Sequence, residues 1–260
     1  MDRFFYGWYI SVLETIKDYL LFGGTSFLVF YILFKGFFYS RKIQKKYPKF
    51  DDYKRDIFYS FLSMTILGLS GSLVFFVFNE YTLVYYNISD YGIIYYIISI
   101  PLIIFLHDTY FYWTHRFMHL PSVFKVFHSI HHRAYNPSPW SAYAFNPLES
   151  IVEAAIVPIV AFLIPVHIHV FLFFFLFQIF FNVYGHLGFE LYPKGFNRTL
   201  IGKWLNTSVG HNMHHKYFKN NYGLYFLFWD RWMNTLDYRY DDHFDAISNP
   251  IKEETKALID

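Results

Sequence analysis

Long apolar runs alternate with polar connections along the first two thirds of the chain. These runs cover residues 19–34, 57–78, 92–106 and 151–184. A helix needs about 20 predominantly apolar residues to cross a bilayer core, and the first three runs approach that length. The fourth run contains Pro158 and Pro165 and is long enough for two short crossings or for one re-entrant hairpin.

The charges of the connections predict on which side of the membrane each one lies. Residues 35–55 carry eight Lys or Arg, whereas residues 79–91 carry none. The positive-inside rule therefore predicts that residues 35–55 are cytoplasmic and that residues 79–91 are on the far side. The third run then returns to the cytoplasm just before His115, and the fourth run brings residues 187–260 back to the same side. The histidines described below are therefore expected on the cytoplasmic side.

Residues 1–18 mix acidic, basic and aromatic side chains. They lack the basic start and the cleavage site of a signal peptide, so an amphipathic or interfacial helix is expected there. The predicted fold is an all-α integral membrane protein with about four to five membrane-embedded helices and a cytoplasmic helical cap. Residues 1–106 would hold the interfacial helix and the first three membrane helices. Residues 107–260 would form the catalytic part, with a membrane hairpin at 148–184 and the cap.

Composition fits a membrane protein and excludes several classes of site. The 260 residues are 55% hydrophobic and 16% charged, and soluble domains average about 25% charged residues. Cysteine is absent, which excludes disulfides, thiolate zinc sites and iron–sulfur clusters. The net charge is only +2, and the sequence contains neither a dinucleotide-binding G-x-G-x-x-G motif nor a P-loop. No nucleic acid or nucleotide partner is expected.

Eight of the thirteen histidines fall in three clusters with helical spacing. The clusters are His115-x3-His119, His128-x2-His131-His132 and His211-x2-His214-His215. Residues three or four apart share one face of a helix, so each cluster should place two or three imidazoles around one point. Imidazole is the commonest metal ligand, and eight exceed the needs of one tetrahedral ion. The pattern predicts a site for two metal ions in the cytoplasmic cap.

Polar residues near the clusters are candidates for supporting roles. His186 follows the last apolar run and is expected to be a further ligand, with Asn182 one helical turn before it. Asp108 precedes His115 by two turns on the same helix face. A carboxylate commonly accepts a hydrogen bond from the outer nitrogen of a metal-bound histidine. We therefore expect Asp108 to bond to His115, with an ion pair to Arg116 as the alternative.

The remaining histidines and acids are expected to lie outside the metal ligands. His107 lies about 12 Å along a helix from the first cluster, so it should support the ligands or line a substrate channel. His167 and His169 do not share a helix face and fall at the tip of the hairpin. Glu149 and Glu153 share a face at the start of the hairpin; paired acids could be metal ligands, but a capping and interfacial role is expected.

The three clusters, in this order, resemble those of the fatty acid hydroxylase superfamily and most of all its sterol desaturase branch. Further matching motifs are Asn146-Pro-Leu-Glu149, Asn182-Val-Tyr-Gly-His186 and Asn221-Tyr-Gly…Trp229-Asp-Arg231. The resemblance covers residues 108–237, about half of the chain. One departure is Asn146, which stands where many members have a histidine, so no ligand is expected at that position.

The resemblance implies a dimetal site, usually di-iron, that activates O2 to hydroxylate or desaturate a C–H bond of a lipid. The lipid would be a sterol, a fatty acyl chain or a sphingolipid, and zinc could replace iron in purified samples. The implied ligands are His115, His119, His128, His131, His132, His186, His211, His214 and His215. Electrons would come from an external partner, such as a cytochrome b5-like protein, a ferredoxin or a reductase. The membrane would be the endoplasmic reticulum or a bacterial inner membrane.

Two other functions are compatible with parts of the pattern. A histidine-rich membrane protein could bind or transport metal ions, and a lipid-binding protein could keep the fold without the activity. Transporters place their ligands near the bilayer midplane, often in repeated halves. In this chain the clusters follow the helix ends, no repeat is evident and the motifs are intact, so an enzyme is the favoured prediction.

Overall fold

The structure is a computed structural model that describes residues 2–249, so the last part of the predicted cap, 250–260, lies outside the described residues. Its principal helices are α1 (Arg3–Leu33), α2 (Phe50–Val77), α3 (Gly92–Met118), α4 (Pro121–Phe127), α5 (Pro147–Ala154), α6 (Ile156–Leu163), α7 (Ile168–Gly185), α8 (Ser208–Tyr217), α9 (Phe228–Trp232) and α10 (Tyr240–Ser248). A single turn, Lys35–Phe38, follows α1. Two short strands are β1 (Val84–Tyr85) and β2 (Val166–His167).

Four helices within residues 2–249 are long and apolar enough to cross a membrane, namely α1, α2, α3 and α7. Their outward faces expose large apolar side chains, as at Ile94, which is 73% exposed. Apolar side chains in this position are stable when the surrounding solvent is lipid. The prediction of an all-α integral membrane protein is confirmed.

The prediction of a separate interfacial helix at residues 1–18 is wrong, because α1 is continuous from Arg3 to Leu33. Asp2 caps its first turn by accepting a hydrogen bond from the Phe4 N–H. The helix packs antiparallel to α2, and Gly68 allows the close approach, since a Cβ at that position would collide with the Val12 side chain. Residues 1–18 are therefore mostly the first half of a helix that is long enough to span the bilayer.

The last apolar run forms a hairpin that reaches the end of the bundle opposite the histidines. The helices α5 and α6 run outward, and α7 returns. At the tip, β2 pairs in parallel with β1, which lies in the connection between α2 and α3. The Leu83 N–H also donates to the Ala161 carbonyl at 2.7 Å. Because this connection joins the far ends of α2 and α3, the hairpin extends over the full depth of the bundle.

The opposite end of the bundle is covered by a cap built from three parts of the chain. Lys42, in the first connection, pairs with Phe189 in an antiparallel bridge. The helices α8 and α10 pack together through a small core that includes Val209 and Phe244. The C-terminal ends of α3 and α7 also reach this cap, and they bring His115 and His186 to it.

The fold predicts that the two ends of the bundle are accessible from opposite sides of the membrane. Single cysteines can be placed at Lys45 and Lys219 on the cap and at Asn87 at the far end, all of which are exposed. From the Lys/Arg asymmetry, we expect an impermeant thiol reagent added outside intact cells to label Cys at position 87 and to miss the other two.

The native chain contributes no background, because it contains no cysteine. Permeabilised cells provide the control, since all three positions should then react. Labelling of the cap positions in intact cells, with position 87 protected, would contradict the orientation.

Candidate metal centre

The cap end of the bundle brings nine histidines into two adjacent groups. Within the described residues, the first group is His115, His119, His128, His132 and His214, and the second group is His131, His186, His211 and His215. In each group, one ring nitrogen per residue lies within 4.8 Å of all the others. All of these side chains are buried except His119, which is partly exposed. The structure therefore places all nine predicted ligands together.

The prediction that each H-x-x-H-H cluster surrounds one point is wrong, because each cluster contributes to both groups. In α8, His211 and His215 join the second group while His214 joins the first. Residues four apart on a helix differ by about 40° around the axis, and adjacent residues differ by about 100°. His214 therefore points to one side of α8 and the other two histidines to the other side.

The cluster at residues 128–132 does not lie on an α-helix, although its spacing predicted one. The helix α4 ends at Phe127, and a short 3-10 turn begins at His131. His128 and His132 face the first group, whereas His131 faces the second. The two metal positions thus lie on either side of this turn and of α8.

Hydrogen bonds to Nδ1 hold four of the imidazoles in a defined orientation. These bonds run from His115 to the Tyr222 carbonyl (2.9 Å), from His214 to the Asn220 carbonyl (2.7 Å), from His186 to the Asn182 carbonyl (2.8 Å) and from His128 to Glu149 Oε1 (2.6 Å). A carbonyl or carboxylate oxygen has no hydrogen to donate, so Nδ1 carries the hydrogen and Nε2 carries a lone pair. In each of the four rings Nε2 is the atom free to bind a metal.

The free nitrogens converge closely enough to share a cation between them. His115 Nε2 lies 2.9 Å from His128 Nε2, and His186 Nε2 lies 3.0 Å from His211 Nε2. In the first of these pairs both rings have Nδ1–H tautomers, so two lone pairs face each other and repel. A metal ion bound by both nitrogens turns this repulsion into attraction. Clustered neutral imidazoles suit Fe, Zn, Cu or Ni, so the residues present fit two such ions.

Burial keeps these imidazoles in the neutral form that binds metal. Removal from water lowers the pKa of His211, His214 and His215 well below the ordinary value, and neighbouring histidines lower it further. Burial has the same effect on the pKa of His131 and His132. The rings are therefore neutral at physiological pH, and protons compete with the metal only in acid.

Glu149 contacts one of the histidines, a role that the expected capping and interfacial position did not include. Its carboxylate is fully buried and accepts the hydrogen bond from His128 Nδ1. The helix start explains its position: Asn146 accepts the Leu148 N–H at 2.9 Å and Pro147 begins α5, which places Glu149 in the first turn. A carboxylate on the outer nitrogen makes the imidazole a stronger ligand.

Asp108 does not contact His115, and the expected hydrogen bond between them is wrong. Asp108 Oδ1 instead accepts the main-chain N–H groups of Tyr225 (2.7 Å) and Phe226 (3.2 Å). The alternative ion pair is also absent among the described residues, because the Arg116 guanidinium donates to the Tyr112 hydroxyl. Asp108 therefore attaches the chain after α8 to α3, which is a positioning role one step removed from the ligands.

Asn182 lies beside His186, as the sequence predicted, and it orients this ligand through its main-chain carbonyl. Its side chain donates to the Ala142 carbonyl at 2.8 Å. This second contact ties α7 to the segment before α5. Asn182 thus fixes both the ring of His186 and the adjacent segment around Ala142.

Asp230 holds the segment whose carbonyls orient two ligands, a role the sequence did not reveal. Asn220 and Asn221 have φ of 67° and 55°, a left-handed conformation that Asn tolerates better than most residues. Asp230 accepts the N–H groups of Tyr222 and Gly223 at 2.9 and 2.8 Å. Burial raises the pKa of Asp230 to about 6, so it stays ionised at neutral pH. The signals in the sequence were the Asn-Asn-Tyr-Gly turn and the Trp229-Asp-Arg231 motif that follows it.

His107 lies outside both groups and lines a cavity of about 600 Å³. The cavity is mostly apolar and is lined by α1, α2, α3, α5, α6 and α7. Two of its lining residues pack against histidines of the groups. The ring centroids of Phe145 and His131 are 5.2 Å apart, and those of Phe111 and His115 are 4.9 Å apart. The cavity therefore leads from the membrane helices to the histidine groups.

Comparisons with known proteins agree with this site. A family model described as fatty acid hydroxylase matches residues 100–235, a region that includes the nine histidines. A Delta(7)-sterol 5(6)-desaturase of Gibberella zeae is 30% identical over 204 residues, which cover 75% of this chain and 60% of that protein. The lathosterol oxidase of Homo sapiens is 32% identical over 133 residues, which cover 51% of this chain and 43% of that protein.

A Delta(7)-sterol 5(6)-desaturase of Aspergillus fumigatus is 33% identical over 131 residues, which cover 50% of this chain and 37% of that protein. The matched part of the chain thus spans between 37% and 60% of the length of these relatives. No solved structure matches the chain.

The two groups predict separate losses of metal when one ligand is removed. Purified protein should contain about two metal ions per chain. His132→Ala, in the first group, and His211→Ala, in the second, should each retain about one ion, because the other group keeps its ligands. Glu149→Gln should keep both ions but weaken the first site about 10–100-fold, since it removes only a supporting carboxylate.

Metal analysis and competition with a chelator measure these effects. His243→Ala is the matched control, because His243 lies in α10 outside both groups. Complete loss of both ions from either ligand variant would show that the two groups do not bind independently.

Proposed function

The chain belongs to the fatty acid hydroxylase family, and from this premise we propose that it is a membrane oxidoreductase using two iron ions and O2. It would hydroxylate or desaturate a C–H bond of a lipid, with sterols as the first class to test because the relatives above are named for sterols. The observation that carries the proposal is the position of both histidine groups at the inner end of an apolar cavity between membrane helices.

In this proposal the nine histidines of the two groups hold the ions. Bound iron would supply O2 activation and the removal of hydrogen from an unactivated carbon, a redox chemistry that zinc lacks. Glu149 and the carbonyls of residues 182, 220 and 222 keep the imidazoles oriented while the ions are bound. Zinc in a purified sample would therefore occupy the same ligands without supporting turnover.

The cavity would bind the lipid and exclude water from the reacting carbon. Its walls are largely Phe, Ile, Leu and Val side chains from the membrane helices. Phe111 and Phe145 stand between the cavity and the ligands, so they would contact the segment of the lipid that reacts. We assign the catalytic part to residues 107–260, with residues 1–106 contributing α1 and α2 as further walls.

A metal transporter is less well supported by this arrangement. His115 lies at the end of α3, and His186 lies just after α7. Transporters place their binding sites near the bilayer midplane, whereas these ligands lie at one end of the bundle. The ligands are also buried beneath the cap, which suits a resident cofactor better than an ion in transit.

Electrons would enter through the cap from an acidic redox protein. The segments 35–50, 119–148 and 206–229 meet around the histidine groups and contain Lys and Arg but no Asp or Glu. Phe218 is 38% exposed on this surface, and its ring lies 4.8 Å from the His132 ring. A cytochrome b5-like protein or a ferredoxin would bind this basic surface by charge complementarity and would reach a ligand through Phe218.

Lipid mass spectrometry of cells with and without the protein tests the proposed activity. We expect a lipid that gains one oxygen atom or loses two hydrogen atoms when the wild-type chain is expressed. The His211→Ala chain, inserted in the same membrane, should leave that lipid unchanged because the second metal site is incomplete. An unchanged lipid profile with iron-loaded wild-type protein and a working electron donor would contradict the proposal.

Charge reversal tests the electron-donor surface. Lys216→Glu with Lys219→Glu should slow electron transfer from the reduced soluble domain of a cytochrome b5 about tenfold at low salt, and the difference should shrink at high salt. Phe218→Leu should lower the rate at saturating donor without changing the salt dependence. Stopped-flow absorbance of the donor measures both effects.

Lys194→Glu is the matched control, because Lys194 is exposed but lies outside the three basic segments. An electron-transfer rate that changes neither with salt concentration nor with the double substitution Lys216→Glu and Lys219→Glu would rule out this docking surface. It would leave the basic residues as contacts for anionic lipid head groups.

A further inference from the structure

Two polar side chains lining the apolar cavity have hydrogen-bonding capacity that the chain does not use. Glu153, on α5, makes no hydrogen bond or ion pair with any residue of the described chain, although it lines the cavity. His107, on α3, uses Nδ1 to contact the Tyr225 hydroxyl at 2.8 Å, which leaves Nε2 for the cavity. An unpaired acid at membrane depth is costly and is a functional candidate by default.

Other charged and polar side chains of the cavity wall differ from Glu153 because they bond to one another. Lys17 pairs with Glu14 and lies 3.9 Å from Asp18. The Gln178 amide donates to the Tyr143 hydroxyl. Glu153 is thus distinguished by its missing partner, and a ligand in the cavity can provide that partner.

The hydrogen bond from Tyr225 determines what His107 offers to a ligand. The Tyr225 hydroxyl is buried and has no other acceptor within the described residues, so it donates to His107 Nδ1. The ring hydrogen of the neutral imidazole is then on Nε2. His107 therefore offers a donor to the cavity, and Glu153 offers a carboxyl oxygen as an acceptor.

Both side chains lie one helical turn from residues that contact the metal ligands. Glu153 follows Glu149, which bonds to His128, and His107 precedes Phe111, which packs on His115. The two helices meet at this level, where the Tyr110 hydroxyl donates to the Val152 carbonyl at 2.7 Å. One turn is about 5.4 Å along a helix, so a group bound here lies within a few bonds of the carbon facing the metals.

We propose that His107 and Glu153 form a hydroxyl-binding site for the lipid substrate. The His107 Nε2–H would donate to the hydroxyl oxygen, and Glu153 would accept the hydroxyl hydrogen. The substrate is then a lipid alcohol whose hydroxyl lies a few bonds from the oxidised carbon, as in a ring alcohol such as a sterol. An acyl chain with a distant head group would place only methylenes beside Glu153. The inference rests on the proposed function for the identity of the ligand as a substrate.

Binding of cholesterol and of its 3-methyl ether to purified protein in nanodiscs tests the site. The ether keeps the acceptor oxygen and loses the donated hydrogen. Wild-type protein should bind cholesterol about tenfold more tightly than the ether, because one hydrogen bond to a buried group is lost. The measurement needs no electron donor and no turnover, so its failure is distinct from a failure of the proposed activity.

Two variants separate the roles of the two residues. Glu153→Leu should abolish the preference by weakening cholesterol binding about tenfold and leaving the ether unchanged. His107→Phe should weaken both ligands by similar factors, because both still present an oxygen to the missing donor. Glu153→Gln, which keeps the shape and an acceptor oxygen, should retain most of the preference and shows that the fold tolerates change here.

Ser70→Ala is the matched control, because Ser70 lines the same cavity but its hydroxyl already donates to the Ala154 carbonyl. It should leave both affinities and their ratio unchanged. Equal affinity of wild-type protein for cholesterol and its ether would overturn the proposal. So would tighter binding of hexadecylamine than of cholesterol that depends on Glu153, since the site would then recognise an ammonium group.

Discussion

The rest of the structure depends on holding imidazole lone pairs against one another in a buried volume. The His115 and His128 nitrogens are 2.9 Å apart, a separation that is repulsive until a cation lies between them. The protein gives four of the nine outer nitrogens a fixed acceptor, and those of His115 and His128 are among them. Those acceptors are fixed in turn, by the Asn146 cap for Glu149 and by Asp230 for the 220–223 segment. Many of the hydrogen bonds in the cap thus act to keep a few imidazole rings in a fixed orientation.

The division of each H-x-x-H-H cluster between the two groups links distant parts of the chain. Each group takes ligands from residues 115–132, before the membrane hairpin, and from residues 186–215, after it. The hairpin therefore begins and ends beside the two histidine groups. This explains why the cavity between the membrane helices leads to the histidines and not to another face of the cap.

The sequence predicted what depends on local spacing and missed what depends on distant partners. The apolar runs located the membrane helices, and the histidine spacing located the ligands. The aromatic residues within 1–18 suggested an interfacial helix, but this segment belongs to a continuous α1 whose Glu14, Lys17 and Asp18 line the cavity. A lipid-facing surface and a cavity-facing surface cannot be told apart from one sequence.

The supporting residues show the same limit. Asp108 shares a helix face with His115. Its carboxylate nevertheless accepts hydrogen bonds from the main-chain N–H groups of Tyr225 and Phe226, which lie 117 and 118 residues away in the sequence. Glu149 reaches His128 across 21 residues of turn and loop. The split of the H-x-x-H-H clusters depends on where α4 stops relative to α8.

The parallel pairing of β1 with β2 has a further consequence for biogenesis. The hairpin tip can complete this ladder only after it has reached the end of the bundle opposite the histidines, so the backbone of Val84 and Tyr85 stays unpaired until then. The pairing thereby favours the fully inserted topology over a partly inserted one.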